Sequence, residues 1–185
     1  MDRFKEEEEE GISKKMKAGV VVLLVCTLFQ VIGVASSHWV VAWEDPFGTL
    51  EYTGLWEKCN DLSIGMHQYE CRGFIWEDVQ VSHWFRTIQT MEAMGTAGLF
   101  AVILLLALYL FSPFKGRKPI KYLAVVVAIL CGVLIVVSCI VFGSLKQVMK
   151  PRYRSYPNVS LSWSFAFSLV GGFLSFVAGV LVCIG

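Results

Sequence analysis

Histidine is scarce in this sequence and confined. His38, His67 and His83 all fall in one polar stretch, where they read as solvated loop side chains rather than ligands or bases. No Ser/His/Asp order, phosphate-binding glycine loop or cluster of metal ligands stands in the polar segments. Hydrolytic and redox chemistry therefore have no carrier, and no catalytic residue is assigned. No basic surface is large enough to suggest nucleic acid, and the net charge is only +1. Cysteines outside apolar runs are scarcer still. Cys26, Cys131, Cys139 and Cys183 all lie within apolar runs, and the first three read as small core side chains. Only Cys59 and Cys71 remain. An oxidising space would join them into a small loop, worth roughly 3 kcal/mol in the chain-entropy account. Zinc is the rival reading. It needs four ligands, and only His67 lies between the two cysteines. The disulfide is the favoured reading, and no metal or cofactor is expected.

What the chain has in abundance is apolar length. It is 56% hydrophobic with a mean hydropathy of +0.61, and four runs approach or exceed the roughly 20 residues that cross a bilayer. The expected spans are residues 18–37, 87–111, 122–145 and 162–185. Residues 1–17 form a polar tail with an acidic run from Glu6 to Glu10, which reads as solvated. Ala35-Ser36-Ser37 offers small residues at a signal-cleavage position, but the apolar run is longer than a signal peptide's core, so an uncleaved helix is expected. Residues 38–86 form a first large loop, 112–121 a short turn and 146–161 a second loop. Phe74-Ile75-Trp76 and Val79-Gln80-Val81 read as short strands in the first loop. Trp39 and Trp56 suit the lipid headgroup layer. Gly54 suits a tight turn with close backbone approach.

Charge sets the orientation. Lys14, Lys15 and Lys17 precede the first span, and Lys115, Arg117, Lys118 and Lys121 crowd the turn between spans two and three. Two helices separate these basic clusters, so both can be cytosolic, with both termini inside and both large loops outside. Asn158-Val159-Ser160 in the second loop has the form of an N-glycosylation acceptor. Cys183 then falls at the inner leaflet edge, where palmitoylation is chemically available. The first loop carries eight carboxylates against three cations, a net of −5, whereas Lys146, Lys150, Arg152 and Arg154 make the second loop basic. Within the spans the costly residue is Glu92, a functional candidate by default. Gln30 lies at a comparable depth on the first span, and a structural hydrogen bond between the two is preferred to an ion-binding role. Ala93, Ala97 and Ala101, like Gly171, Ser175 and Gly179, recur every fourth residue, and packing inside the bundle is preferred to a dimer face.

Trp39, then Gly54-Leu55-Trp56, then Cys59 and Cys71 form the pattern W…GLW…C…C. This arrangement resembles the first-loop signature of the claudin superfamily, which includes claudins, peripheral myelin and epithelial membrane proteins and calcium-channel gamma subunits. The resemblance runs from about Ala18 to the end. It implies an all-α membrane four-helix bundle carrying a small extracellular antiparallel β-sheet, with the cysteine pair stapling two strands. The first loop's length is closest to claudins. Gln89-Thr90-Met91-Glu92-Ala93 is similar to the claudin stretch Q-A-x-R-A, with Glu92 in place of the arginine, and Gln89 with Ser162-Trp163-Ser164-Phe165-Ala166-Phe167 looks closer to the peripheral myelin group. Val148-Met149-Lys150-Pro151 keeps the proline of a claudin second-loop motif but lacks its aromatic pair.

Two functions follow from the resemblance. The first is a non-enzymatic plasma-membrane protein of cell–cell (tight) junctions that forms or regulates a paracellular barrier or a cation-favouring path. Its partners would be the lipid bilayer and same-family proteins on the same and the opposing cell. The family's selectivity position lies near and after the second cysteine, which points to Glu70 just before Cys71 and to Glu77 and Asp78 after it, because carboxylate rings favour cations. The second is a regulatory subunit or membrane organiser that binds a channel or another membrane protein through its helices. The ending Cys183-Ile184-Gly185, without the PDZ-binding tail usual in claudins, favours the latter.

Overall fold

Apolar length and backbone satisfaction together set the four helices: α1, Lys14–Ala35; α2, His83–Phe111; α3, Lys118–Met149; and α4, Trp163–Ile184. In a computed structural model of the chain, residues 13–44, 48–61, 69–73, 82–111, 118–149 and 158–185 are described. All four helices are long and apolar enough to cross a membrane. They do not coincide with the spans read from hydropathy. The first three begin four residues earlier than expected, at Lys14, His83 and Lys118, and α3 runs on to Met149. Hydropathy locates apolar surface, whereas a helix continues through polar flanks while its N–H groups find acceptors. At α2 the Ser82 carbonyl accepts from Phe85 N–H (3.0 Å) and Arg86 N–H (3.2 Å), which starts the helix before the apolar run. At α1 the Ser13 hydroxyl caps Lys15 N–H at 3.3 Å.

The helices close into a bundle whose heaviest seam joins α1 and α4, followed by the α2–α3 and α3–α4 seams, with a lighter seam between α1 and α2. Leu23, Leu99, Val102, Leu106, Ala128 and Ile135 fill one part of its core. Leu24, Leu28, Phe100, Leu104, Leu123 and Leu130 are large, apolar and exposed, as a lipid-facing surface requires. The two small-residue stripes part company. Gly171, Ser175 and Gly179 are buried, with the Ser175 hydroxyl donating to the Ala128 carbonyl at 2.6 Å. Ala93, Ala97 and Ala101 are exposed, contrary to the expectation that both stripes pack inside. The inward stripe of α2 is Glu92, Gly95, Leu99, Val102 and Leu106, which leaves the alanines turned outward.

Five strands form one antiparallel sheet at one end of the bundle. They are β1, Val40–Glu44; β2, Gly48–Thr53; β3, Glu57–Asp61; β4, Tyr69–Gly73; and β5, Asn158–Leu161, in the order β4-β3-β2-β1-β5. Their placement agrees with the expected fold class. A bulge between Ala42 and Trp43 shifts the β1–β2 register. The second loop contributes β5, which pairs Val40 with Leu161 and Ala42 with Val159. The strands expected at 74–76 and 79–81 lie outside the described residues.

Candidate functional site

The joint between sheet and helices is built from the tryptophan and the Gly-Leu-Trp of the sequence pattern. Helix α1 ends at Ala35, so its last carbonyls lack intrahelical donors. Ile32 is served by Ser36 N–H at 3.2 Å, and Gly33 by the indole N–H of Trp39 at 2.7 Å. Trp39 is wholly buried, so its ring meets protein side chains. Its ring meets Phe142 of α3 edge-on at 5.0 Å and Phe165 of α4 at 5.7 Å. An amphipathic ring suits a membrane interface, but an apolar pocket with one carbonyl at its rim suits it equally. Its backbone also ties the strands, since Trp39 N–H donates to the Thr53 carbonyl and its own carbonyl accepts from Ser162 N–H.

Gly54 follows β2. A Cβ there would lie 2.5 Å from Ser37 Cα and 2.6 Å from the Ser36 carbonyl, so only glycine lets the two backbones meet. Leu55 is buried beside Trp39, Phe85, Ile88 and Phe142, with Trp56 packed on the edge of this cluster. The Leu55 carbonyl accepts from the Gln89 side chain of α2 at 2.5 Å. Gln89 is thus a tie that was visible as a polar residue in a span but was not assigned. Cys59 and Cys71, directly opposite on β3 and β4, are joined by a disulfide. Their sulfurs are thereby removed as metal ligands, and His67 lies outside the described residues.

Below the joint, polar side chains from all four helices meet on Glu92, which has no exposed surface. Its Oε2 accepts from Gln30 Nε2 of α1 at 2.5 Å and from the Ser168 hydroxyl of α4 at 2.9 Å. Its Oε1 is bonded by the Ser138 hydroxyl of α3, with the Cys139 thiol at 3.6 Å. The structure thus brings Gln30 and Glu92 together and adds three partners. Serines are common in spans and usually bond their own helix, so Ser138 and Ser168 carried no distinctive signal. Among the described residues, Ser164 carries a buried hydroxyl with no partner, one turn from Ser168 on α4.

The loop carboxylates divide. Buried Glu51 pairs with Lys58 at 2.8 Å and accepts from Thr53 at 3.1 Å. Glu70 is exposed on β4 and pairs with Arg72 at 2.9 Å. Glu77 and Asp78 lie outside the described residues. His38 is half-buried between Tyr52 (ring centroids 4.4 Å apart) and Trp163 (5.3 Å). Burial holds its imidazole below the ordinary range, and the Glu57 carboxylate partly offsets this. Asn158 opens β5 and is half-buried, and Cys183 is exposed near the end of α4.

Four membrane-crossing helices with a disulfide-stapled sheet on one end define a four-span membrane protein. The chain belongs to the PMP-22/EMP/MP20/Claudin family, whose profile matches residues 13–182. Comparison with individual curated proteins returned no match.

Proposed function

We propose that this protein is a claudin-like adhesion protein of cell–cell contacts, whose sheet stands outside the cell and whose termini lie inside. The carrying observation is the pairing of β5 with β1, which merges both loops into one surface fixed to the bundle. A surface of that kind can meet the same or related chains on the same and on the facing cell. The orientation is supported by the disulfide, which needs an oxidising compartment, and by the two basic clusters. In this orientation Asn158 is a glycan acceptor and Cys183 a palmitoylation site. The first loop's net charge of −5 supports a cation-favouring path. Glu51 is buried and paired with Lys58, whereas Glu70 stays exposed on β4 beside Arg72. Glu70, Glu77 and Asp78 are the proposed path residues. The basic second loop opposes them, but the first loop is the larger contributor to the sheet.

The test is a polarised epithelial monolayer expressing the chain, with transepithelial resistance and sodium and chloride dilution potentials recorded. Enrichment at contacts with a sodium preference that falls in Glu77→Gln/Asp78→Asn supports the reading. A chloride preference, or no change in the double variant, refutes the path assignment. A second reading, a membrane organiser acting on a channel or another membrane protein, is favoured by the outward Ala93, Ala97 and Ala101, which let a foreign helix approach closely. Co-purification with a channel from cells without junctions, and no enrichment at contacts, would favour it.

A further inference from the structure

The Glu92 cluster buries a carboxyl group among hydroxyl, amide and thiol partners. The Ser138 hydroxyl has one hydrogen and two acceptors in reach, Glu92 Oε1 and the Ile135 carbonyl at 2.7 Å. The Ser168 hydroxyl also has one hydrogen and two acceptors, Gln30 Oε1 at 3.1 Å and Glu92 Oε2 at 2.9 Å. An ionised Glu92 makes both hydroxyls choose, although Gln30 Nε2 still serves Oε2 and the helix itself still serves the Ile135 carbonyl. It also leaves a whole negative charge with no exposed surface. Among the described residues no lysine, arginine or histidine forms an ion pair with it. Among the described residues, the other titratable group touching it is the Cys139 thiol of α3. A buried charge without a partner is costly, and none of the described residues supplies one.

One added hydrogen removes that charge. Placed on Oε1, it donates to the Ser138 oxygen, and Ser138 passes its own hydrogen to the Ile135 carbonyl. Gln30 Nε2 serves Oε2, and Ser168 serves Gln30 Oε1. Every acceptor then has a donor, and the cluster is uncharged. We propose that Gln30, Glu92, Ser138 and Ser168 form a proton-binding site in which Glu92 is held as the neutral carboxylic acid, closing a hydrogen-bond chain through all four helices. A monovalent cation is the other occupant such oxygens could take. The contacts oppose it: Ser138 bonds Glu92 directly and Gln30 lies 2.5 Å from it, so an ion would have to part the helices.

Infrared spectroscopy on the purified full chain in lipid nanodiscs at neutral pH tests this. The expected result is a protonated-carboxyl C=O stretch in the wild type that is lost in Glu92→Gln and is indifferent to replacing choline with sodium. Loss of carboxylate stretches instead would show an ionised Glu92. A C=O band present in choline and abolished by sodium would show a cation site. Either outcome overturns the proposal. Thermal unfolding gives an independent readout. Glu92→Gln supplies an amide N–H where the acid O–H stood, so it should keep the wild-type midpoint while Glu92→Ala lowers it. A Glu92→Gln chain that unfolds as readily as Glu92→Ala, or does not fold, also counts against the proposal.

Discussion

The indole N–H of Trp39 donates to the Gly33 carbonyl at 2.7 Å, so the residue that begins the sheet finishes the first helix. Trp39→Phe keeps an aromatic ring between Phe142 and Phe165 but orphans that carbonyl. The expected loss is about 1–3 kcal/mol, the cost of an unmet buried polar group. Trp39→Ala removes the ring too and should lose about 3–5 kcal/mol. Unfolding curves in mild detergent would rank the three chains, and equal stability of Trp39→Phe and wild type would remove the hydrogen bond from the account.

Gly54 and Gly73 make a paired test of the joint. A Cβ at Gly54 would strike Ser37 Cα at 2.5 Å, whereas one at Gly73 would meet, among the described residues, the Trp56 carbonyl at 3.9 Å. Gly54→Ala should cost about 1–3 kcal/mol or more through overpacking and reduce delivery to the cell surface. Gly73→Ala should leave surface delivery unchanged. Surface biotinylation of both variants checks the contrast.

The disulfide closes a loop with a sequence separation of 12. Its removal in Cys59→Ala should destabilise the sheet by roughly 3 kcal/mol in the chain-entropy account. Cys59→Ala/Cys71→Ala should be no worse than the single variant, because one bond is lost in each. Unreduced peptide mapping should find Cys59 joined to Cys71, with Cys26, Cys131, Cys139 and Cys183 free. A free Cys59 thiol in surface protein would sink the assignment.

His38 predicts a pH dependence. Burial beside Tyr52 and Trp163 lowers its folded pKa below the ordinary value of about 6.5. The unfolded chain therefore binds the proton more readily, and stability rises with pH in the window between the two values. His38's contribution is fully present above about pH 6.5 and is lost as the pH falls through the folded value. His38→Phe should flatten that part of the profile. Thermal midpoints measured from pH 7.5 down to pH 5, about a unit or more either side of the ordinary value, compare the two chains. An identical slope in both would assign the dependence elsewhere.

How much of this could be read beforehand varied with how local the signal was. The helices were legible because apolar length is local, though their polar flanks were not. Gln30 and Glu92 stood out because polar groups in spans are costly, and they do meet. Ser138 and Ser168 were hidden by an ordinary residue type. The alanine stripe misled because spacing of four marks a helix face without saying which way it looks. Glu92, Gly95 and Leu99, one step round the helix, decide that. The burial of Trp39 was not legible, because its pocket is made by Phe142 and Phe165 from distant parts of the chain. Strand β5 was missed for the same reason: four residues of the second loop acquire meaning only beside β1.

That last pairing has a consequence for synthesis. Val40 is made early and Leu161 late, yet they sit side by side in the finished sheet. Until the ribosome has delivered Asn158–Leu161, the β1 flank is an unpaired edge, open to the wrong partner. Sheet closure therefore waits on nearly the whole chain, a slow nonlocal step of the kind that delays folding. A quality-control factor that binds exposed strand edges would hold truncated or stalled chains and release the completed one.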